Sequence, residues 1–262
     1  MCELLGMNAN TPTDVMFSFT GLATRADEHK DGFGIAFFED CGLRLFVDQH
    51  SARQSPVAAL VKGYPIRSDN VIAHIRKATQ GRIALENTHP FVRELWGRYW
   101  VFAHNGDLKD FRPRLHGSFR PVGDTDSEHA FCWLMQELAK AHAGVPEIGE
   151  LTNTLGELLP RLHAHGTFNM LLSNGQALWA HCSTKLHWLL RREPFGAAVL
   201  ADEDVEVDFA HHTTPGDRVA VVATEPLTRN ERWQAMAPGE LVAFVGGARA
   251  PVQTGRGAGS PA

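Results

Sequence analysis

The stretch Phe168–Cys182, FNMLLSNGQALWAHC, decides the fold class of this chain. It contains two apolar runs, Phe168–Ser173 and Ala177–Cys182, on either side of an Asn-Gly pair at positions 174 and 175. An Asn-Gly pair between two such runs is a strong signal for a tight hairpin. The stretch therefore predicts two antiparallel strands joined by a short turn.

The elements around this hairpin predict an α+β domain. Two helices are predicted in succession before it: one begins at the capping sequence Thr125-Asp126-Ser127-Glu128, and the other covers about residues 147–165. A third is predicted over Val15–Ala26. Because two helices follow one another between strand groups, strict β-α-β alternation is absent, and mainly antiparallel sheets with helices on their outer faces are expected. Further strands are predicted at 34–39, 44–48, 71–76, 99–104, 187–191, 218–223 and 241–245.

Composition and charge exclude several classes of partner. The 262 residues include 25 Lys and Arg and 30 Asp and Glu, which gives a net charge of −5. The chain therefore has no excess of positive charge that would attract nucleic acid or anionic lipid. The first 14 residues lack the basic and apolar regions of a signal peptide. We therefore expect a cytoplasmic protein with no nucleic-acid or membrane partner. Residues 2–246 are expected to form one domain, and residues 247–262 a disordered tail.

Cys2 is a candidate nucleophile because of its position. Removal of Met1, which a small second residue permits, would make Cys2 the first residue. Its α-amine would have a pKa of about 7.7–8.0, so it could act as the general base for its own thiol. The alternative is a cysteine that merely follows Met1, and the choice depends on whether partner groups are present.

Two such groups lie in the segment Phe102–Leu108, FAHNGDL. The side-chain amide of Asn105 and the backbone N–H of Gly106 follow a predicted strand, where they can converge on a developing oxyanion. The alternative is an ordinary Asn-Gly hairpin turn with no catalytic role.

Groups that could bind an amino-acid substrate occur in two further segments. Arg76, near the end of the predicted strand at 71–76, suits bidentate capture of a carboxylate, and Thr79 follows it. The alternative for Arg76 is a surface cation. In the segment Gly123–Glu128, GDTDSE, the acidic residues favour a helix N-terminus, and one of them could pair with an ammonium group.

Five motifs then occur in an order typical of one family. They are Met1-Cys2-Glu3, HIRKAT at 74–79, NTHPF at 87–91, AHNG at 103–106 and TDSE at 125–128. The segments KDGFGI at 30–35 and ATEPL at 223–227 extend the match. The chain therefore resembles the class II glutamine amidotransferases, in particular the stand-alone bacterial YafJ-type branch, over residues 2–246.

The resemblance implies a fold and a nucleophile. The fold is that of the N-terminal-nucleophile (Ntn) hydrolases, a four-layer αββα sandwich of two mainly antiparallel sheets between helical layers. By motif position, Cys2 is the catalytic nucleophile, and Asn105 and Gly106 form the oxyanion hole.

The resemblance also implies a binding set for glutamine. Arg76 and Thr79 match the residues that hold the α-carboxylate. Asp126 matches the residue that binds the α-ammonium group, with the Gly106 carbonyl assisting. Asp124 lies outside the pattern.

The implied activity is a glutaminase that forms a γ-glutamyl thioester on Cys2 and releases ammonia. Two alternatives stay open: a hydrolase of a larger γ-glutamyl compound, and a non-catalytic glutamine-binding regulatory subunit that needs no free Cys2 amine. Because no sequence remains for a synthetase domain, any ammonia acceptor is expected to be bound by a partner protein. No cofactor is predicted. No metal site is predicted either, because the histidine pairs at 163/165 and 211/212 lack a third ligand at a recognisable spacing.

Overall fold

Two antiparallel sheets form the centre of the computed structural model, which describes residues 2–24, 31–52, 54–77 and 82–251. The strands of the first sheet are β1 (Glu3–Asp14), β2 (Phe33–Glu39), β3 (Gly42–Asp48), β4 (Arg67–Ile75), β9 (His187–Arg192), β12 (Arg218–Ala223) and β13 (Gln234–Ala235). Their order across the sheet is β13-β9-β12-β1-β4-β2-β3, so β1 lies in the middle.

The second sheet has six strands. They are β5 (Phe91–Leu95), β6 (Arg98–Leu108), β7 (Gly166–Ser173), β8 (Leu178–His181), β14 (Leu241–Val245) and β15 (Ala248–Arg249). Their order is β15-β14-β8-β7-β6-β5. A separate small hairpin joins β10 (Ala197–Val199) to β11 (Glu206–Asp208).

In the described part of the chain, four helices cover the outer faces of the two sheets. They are α1 (Met16–Thr24), α2 (Pro56–Gly63), α3 (Asp126–Ala141) and α4 (Ile148–His163), and short 3-10 turns lie at Leu85–Asn87 and Phe209–His211. No helix within the described residues is long and apolar enough to cross a membrane.

Three buried apolar layers show how these elements are stacked. The first packs α1 and α2 on the seven-stranded sheet and includes Phe19 and Val61. The second lies between the two sheets, and the third packs the six-stranded sheet against α3 and α4. In the third layer the rings of Phe102 and Phe131 stack with centroids 4.9 Å apart. The predicted four-layer αββα sandwich is confirmed.

Gly6 allows the two sheets to approach at β1. A Cβ placed on Gly6 would lie 2.8 Å from Cδ2 of Leu178 and 3.2 Å from Cδ1 of Leu171, both in the second sheet. A larger residue would therefore push the sheets apart near the N-terminal end of β1, where Cys2 lies.

All nine predicted strands form, and the Asn-Gly hairpin joins β7 to β8 with Gly175 at φ +84°. The predicted helix at 15–26 is α1, whose described part ends at Thr24. The strand β1 was not predicted, although it is central, because Gly6, Asn8, Asn10 and Pro12 disfavour strands locally. Its pairing on both sides overrides that weak preference, with Leu5 opposite both Ala223 and Ala73.

The ordered chain continues beyond the predicted boundary at 246. Gly246 and Gly247 both have positive φ and turn the chain so that β15 pairs with the end of β14. The N–H of Ala250 then donates to the carbonyl of Ala243 at 2.8 Å. Ala248 and Arg249 thus belong to the six-stranded sheet, the described chain continues to residue 251, and the rest of the predicted tail, 252–262, lies outside the described residues.

Candidate active site

Cys2 lies directly before β1, against the end of β4. The register that pairs Glu3 with Ile75 brings the peptide of Lys77 beside the thiol. The Lys77 N–H donates to Sγ at 3.1 Å, and the thiol donates to the Lys77 carbonyl at 3.2 Å. Burial raises the pKa of the Cys2 thiol, while the Lys77 N–H and the charge of Arg76 oppose that rise. A thiol held in this way needs a base to become a thiolate at neutral pH.

Asn105 reaches Cys2 from the other sheet. It lies in β6, is 1% exposed, and its side-chain Nδ2 donates to the main-chain carbonyl of Cys2. Asn105 and Gly106 are not in a hairpin turn: both are extended residues of β6 that pair with Asn169 and Phe168 of β7. The alternative interpretation of this Asn-Gly pair as a turn is therefore wrong.

Residue 106 must be a glycine, because the surrounding atoms leave no room for a side chain. A Cβ on this residue would lie 1.9 Å from the carbonyl oxygen of Thr167 and 2.5 Å from Nε2 of His104. The backbone at 105–106 can therefore approach β7 only if residue 106 has no side chain. The close approach of β6 to β7 at this point therefore determines where the Gly106 N–H lies.

Arg76 is buried at the end of β4, which contradicts its interpretation as a surface cation. Its Nη1 donates to the carbonyl of Arg82 at 3.0 Å. Burial lowers the pKa of Arg76, and attraction to Cys2, Asp31 and Asp124 opposes that shift. Thr79, the predicted partner of Arg76, lies outside the described residues.

Asn87 and Asp124, which lie next to Arg76, are joined by reciprocal hydrogen bonds. Nδ2 of Asn87 donates to the Asp124 carboxylate at 2.6 Å, and the Asp124 N–H donates to Oδ1 of Asn87 at 3.0 Å. Nδ2 of Asn87 also donates to the Arg82 carbonyl at 3.0 Å. Asp124, the acidic residue outside the family pattern, therefore has a structural partner.

Asp126 is the first residue of α3 and is buried. Its Oδ2 accepts from the N–H of Leu108 at 2.7 Å, and its Oδ1 accepts from the hydroxyl of Ser127 at 3.4 Å. The helix begins as predicted, because the Thr125 side chain accepts from the Glu128 N–H at 3.2 Å. Asp126 thus joins the start of α3 to the end of β6, the strand that contains Asn105 and Gly106.

Buried histidines pack close to Arg76. The ring of His89 lies between the rings of His74 and Phe91, with centroids 4.4 Å from each. The two ring nitrogens of His89 have no hydrogen-bond partner among the described residues. Burial, together with His74, His104 and Arg76, holds the pKa of His89 well below its usual range. A neutral His89 therefore forms part of the packing of the site.

Sequence reasoning missed Asn169, which is fully buried opposite Asn105. Its side chain donates to the Asn105 carbonyl at 3.1 Å. The signal that could have found it is an amide inside the apolar run FNMLLS, because a buried amide is costly unless it is fully hydrogen-bonded.

The comparisons with known proteins agree with one another. The family of class II glutamine amidotransferases matches residues 1–260. YafJ of Escherichia coli (strain K12), whose name assigns it to the glutamine amidotransferases, is 53% identical over 253 residues, which are 95% of this chain and 99% of YafJ. The 2.0 Å crystal structure of a predicted glutamine amidotransferase from Pseudomonas aeruginosa PA01 superposes with a TM-score of 0.77 at 43% identity, covering 95% of this chain and all of that one.

A more distant structure shares the fold. The glutamine phosphoribosylpyrophosphate amidotransferase from B. subtilis superposes with a TM-score of 0.60 at 15% identity, over 95% of this chain and 48% of that one. The four-layer architecture is thus also found in part of a longer chain.

Proposed function

This chain belongs to the class II glutamine amidotransferases, and from that premise we propose that it hydrolyses the side-chain amide of glutamine through Cys2. Family membership makes it an enzyme that handles the amide of glutamine. The proposal adds the nucleophile, the intermediate and the fate of the products.

The proposed reaction has two halves. The Cys2 thiolate attacks the γ-carbonyl carbon, the resulting tetrahedral intermediate expels ammonia after protonation of its nitrogen, and a γ-glutamyl thioester forms on Sγ. Water then attacks the thioester, which releases glutamate and regenerates the thiol. Removal of Met1 supplies the base, because the freed α-amine has a pKa of about 7.7–8.0 and can take the thiol proton in the first half.

The hydrogen bond from Asn105 to the Cys2 carbonyl carries this proposal. It brings an amide donor from one sheet to the backbone of the nucleophile in the other. On the proposed pathway this amide and the Gly106 N–H stabilise the oxyanion, whose charge develops only in the transition state. A cysteine that merely followed Met1 would not need such a neighbour.

Substrate recognition is proposed to use two oppositely charged, buried groups. Arg76, with Thr79, binds the α-carboxylate, and Asp126, with the Gly106 carbonyl, binds the α-ammonium group. Both charged side chains are buried, so their attraction to the charged groups of a bound amino acid is only weakly screened by water. A zwitterionic amino acid carries one group of each charge and can therefore bind to both residues.

The proposal extends to partner and location. Ammonia released in the first half could pass to a bound partner protein that uses it, and such a partner would be recovered with the enzyme from native extract. We place the enzyme in the cytoplasm, since its four cysteines are all free thiols, as expected in a reducing compartment.

The test compares ammonia and glutamate release from glutamine by the wild type and by Cys2→Ala, with the mass of each intact protein measured. The expected result is loss of Met1 and equimolar products from the wild type alone. Retained Met1 in active protein would contradict the N-terminal mechanism. Turnover only of larger γ-glutamyl amides would favour the second hydrolase activity, and glutamine binding without any turnover would favour a regulatory subunit.

A further inference from the structure

Asn169 of β7 uses all of its side-chain hydrogen-bonding groups. Its Oδ1 accepts from the backbone N–H groups of Ser183, Thr184 and Lys185 at 3.0, 3.0 and 3.2 Å. Its Nδ2 donates to the Asn105 carbonyl at 3.1 Å and to the Thr184 hydroxyl at 2.9 Å. With 0% exposure, this amide has no contact with solvent. It joins β6, β7 and the turn after β8.

The bond to the Asn105 carbonyl matters because of peptide geometry. The Asn105 carbonyl and the Gly106 N–H belong to the same planar trans peptide group, so the N–H points opposite to the carbonyl. Any group that fixes the direction of the carbonyl also fixes the direction of the N–H. We infer that Asn169 is a positioning residue for the oxyanion hole, acting on the Gly106 N–H through the Asn105 carbonyl; this inference rests on the proposed function.

The orientation of Asn169 is itself fixed by the turn at 183–185. Three N–H groups bind one oxygen of the amide, so a rotation that withdrew Nδ2 from Asn105 would break all of them. A neutral hydrogen bond contributes about 0.5–1.5 kcal/mol, and a buried donor left without a partner costs more. The amide is thus held in one orientation.

The same turn is connected to the strand of the nucleophile. The Lys185 ammonium pairs with the Glu225 carboxylate, and the neighbouring Thr224 hydroxyl accepts from the Leu4 N–H at 2.9 Å. Leu4 lies two residues after Cys2 in β1. Through these contacts Asn169 holds the Asn105–Gly106 peptide in one sheet at a fixed position relative to Cys2 in the other.

The test is Asn169→Asp, with Asn174→Asp as the matched control. The carboxylate introduced at position 169 keeps an acceptor for the three turn N–H groups but loses the donor to Asn105. Asn174 is also buried, in the turn directly after β7, and its Oδ1 accepts from the N–H groups of Gln176 and Ala177 at 3.0 and 3.2 Å. The same chemical change there removes no contact to β6. Asn169→Ser, which introduces no charge, is the second variant if Asn169→Asp folds poorly.

Three measurements are made on each folded protein. Steady-state kinetics on glutamine give kcat and KM, and the rate of Cys2 alkylation by iodoacetamide shows whether the thiol is intact. Backbone hydrogen exchange at residues 104–107 reports the order of the peptide independently of turnover.

For Asn169→Asp we expect kcat to fall about ten- to a hundredfold, less than the roughly 10²–10³ typical of deleting an oxyanion donor. KM and Cys2 alkylation should change little, exchange at 104–107 should quicken, and Asn174→Asp should have wild-type kcat. A kcat within about twofold of wild type for both Asn169 variants would overturn the inference. So would a fall in the kcat of Asn174→Asp as large as that of Asn169→Asp. If the wild type hydrolyses no glutamine, the proposed function fails on its own, and hydrogen exchange decides: unchanged exchange at 104–107 overturns the positioning role, and faster exchange only in the Asn169 variants supports it.

Discussion

The side-chain amide of Asn105 donates a hydrogen bond to the main-chain carbonyl of Cys2, joining two residues 103 positions apart in the chain. The donor belongs to the six-stranded sheet, and the acceptor lies directly before the central strand of the seven-stranded one. The site is therefore built across the interface between the sheets, and its geometry depends on how the sheets are stacked.

Replacement of Asn105 tests the oxyanion role. Asn105→Ala should lower kcat roughly 10²–10³-fold with a modest change in KM, because an oxyanion-hole donor acts mainly on the transition state. The Gly106 N–H should preserve residual activity. Steady-state kinetics on glutamine provide the measurement, with the melting temperature as a control for folding. Asn105→Gly with near-wild-type kcat would exclude a role for the amide.

Covalent labelling tests Cys2. A glutamine-like diazoketone should attach to one residue, Cys2, since substrate-like binding brings its reactive carbon to that thiol. Cys41 is the internal control because it is exposed and lies in the turn between β2 and β3, at the opposite end of β2 from Phe33, which pairs with Ile75 next to Arg76. Cys132 and Cys182 are buried. Peptide mass spectrometry locates the adduct. Attachment at Cys41 in place of Cys2 would contradict the assignment.

Arg76→Lys should raise KM more than it lowers kcat. Lysine cannot form the planar, bidentate pair with a carboxylate that arginine forms, and that pair acts on bound substrate throughout the reaction. Arg82→Lys is the matched control, because the exposed Arg82 side chain forms ion pairs with Glu86 and Asp124 that lysine can also form, and the Arg82 carbonyl that accepts from Arg76 is unchanged by the substitution. Equal KM values for the two variants would remove the carboxylate role from Arg76.

Asp126→Asn should weaken recognition of the α-ammonium group. The asparagine oxygen can still accept from the Leu108 N–H, so the contact between α3 and β6 is kept while the charge is lost. Inhibition constants for glutamine analogues with and without the α-amino group measure the effect: Asp126→Asn should discriminate less between them than the wild type. Asp124→Asn serves as the comparison, and a loss of discrimination there instead of at 126 would reassign the ammonium partner.

His181 should make stability depend on pH. Burial and the neighbouring His163 lower the pKa of His181 to about 4, below the value of about 6.5 expected in the unfolded chain. Between these values the unfolded chain binds the extra proton, so the free energy of unfolding should fall as pH falls below 6.5. From pH 7.5 to pH 5 the contribution of His181 is about 2 kcal/mol. Urea unfolding of the wild type and His181→Gln at both pH values measures it; an equal pH dependence in the two proteins would refute the assignment.

The sequence predicted those elements whose cause is local. The turn at Asn174-Gly175 and the helix capped by Thr125 depend on residues within a few positions of each other, and both form where they were predicted. The strand β1 was not predicted, because Gly6, Asn8 and Pro12 oppose it locally and only its two neighbouring strands stabilise it. Long-range pairing leaves no periodic signal of its own in a single sequence.

For the candidate site, the sequence by itself determined which chemical groups are available and, through the order of the motifs, the family. Only the tertiary structure decided that Asn105 lies in an extended strand against Cys2, that Arg76 is buried, and that Asn169 holds the Asn105 carbonyl. The physical reason is that hydrogen bonds and burial depend on distances between groups, and stacking of the two sheets sets those distances among residues far apart in the chain.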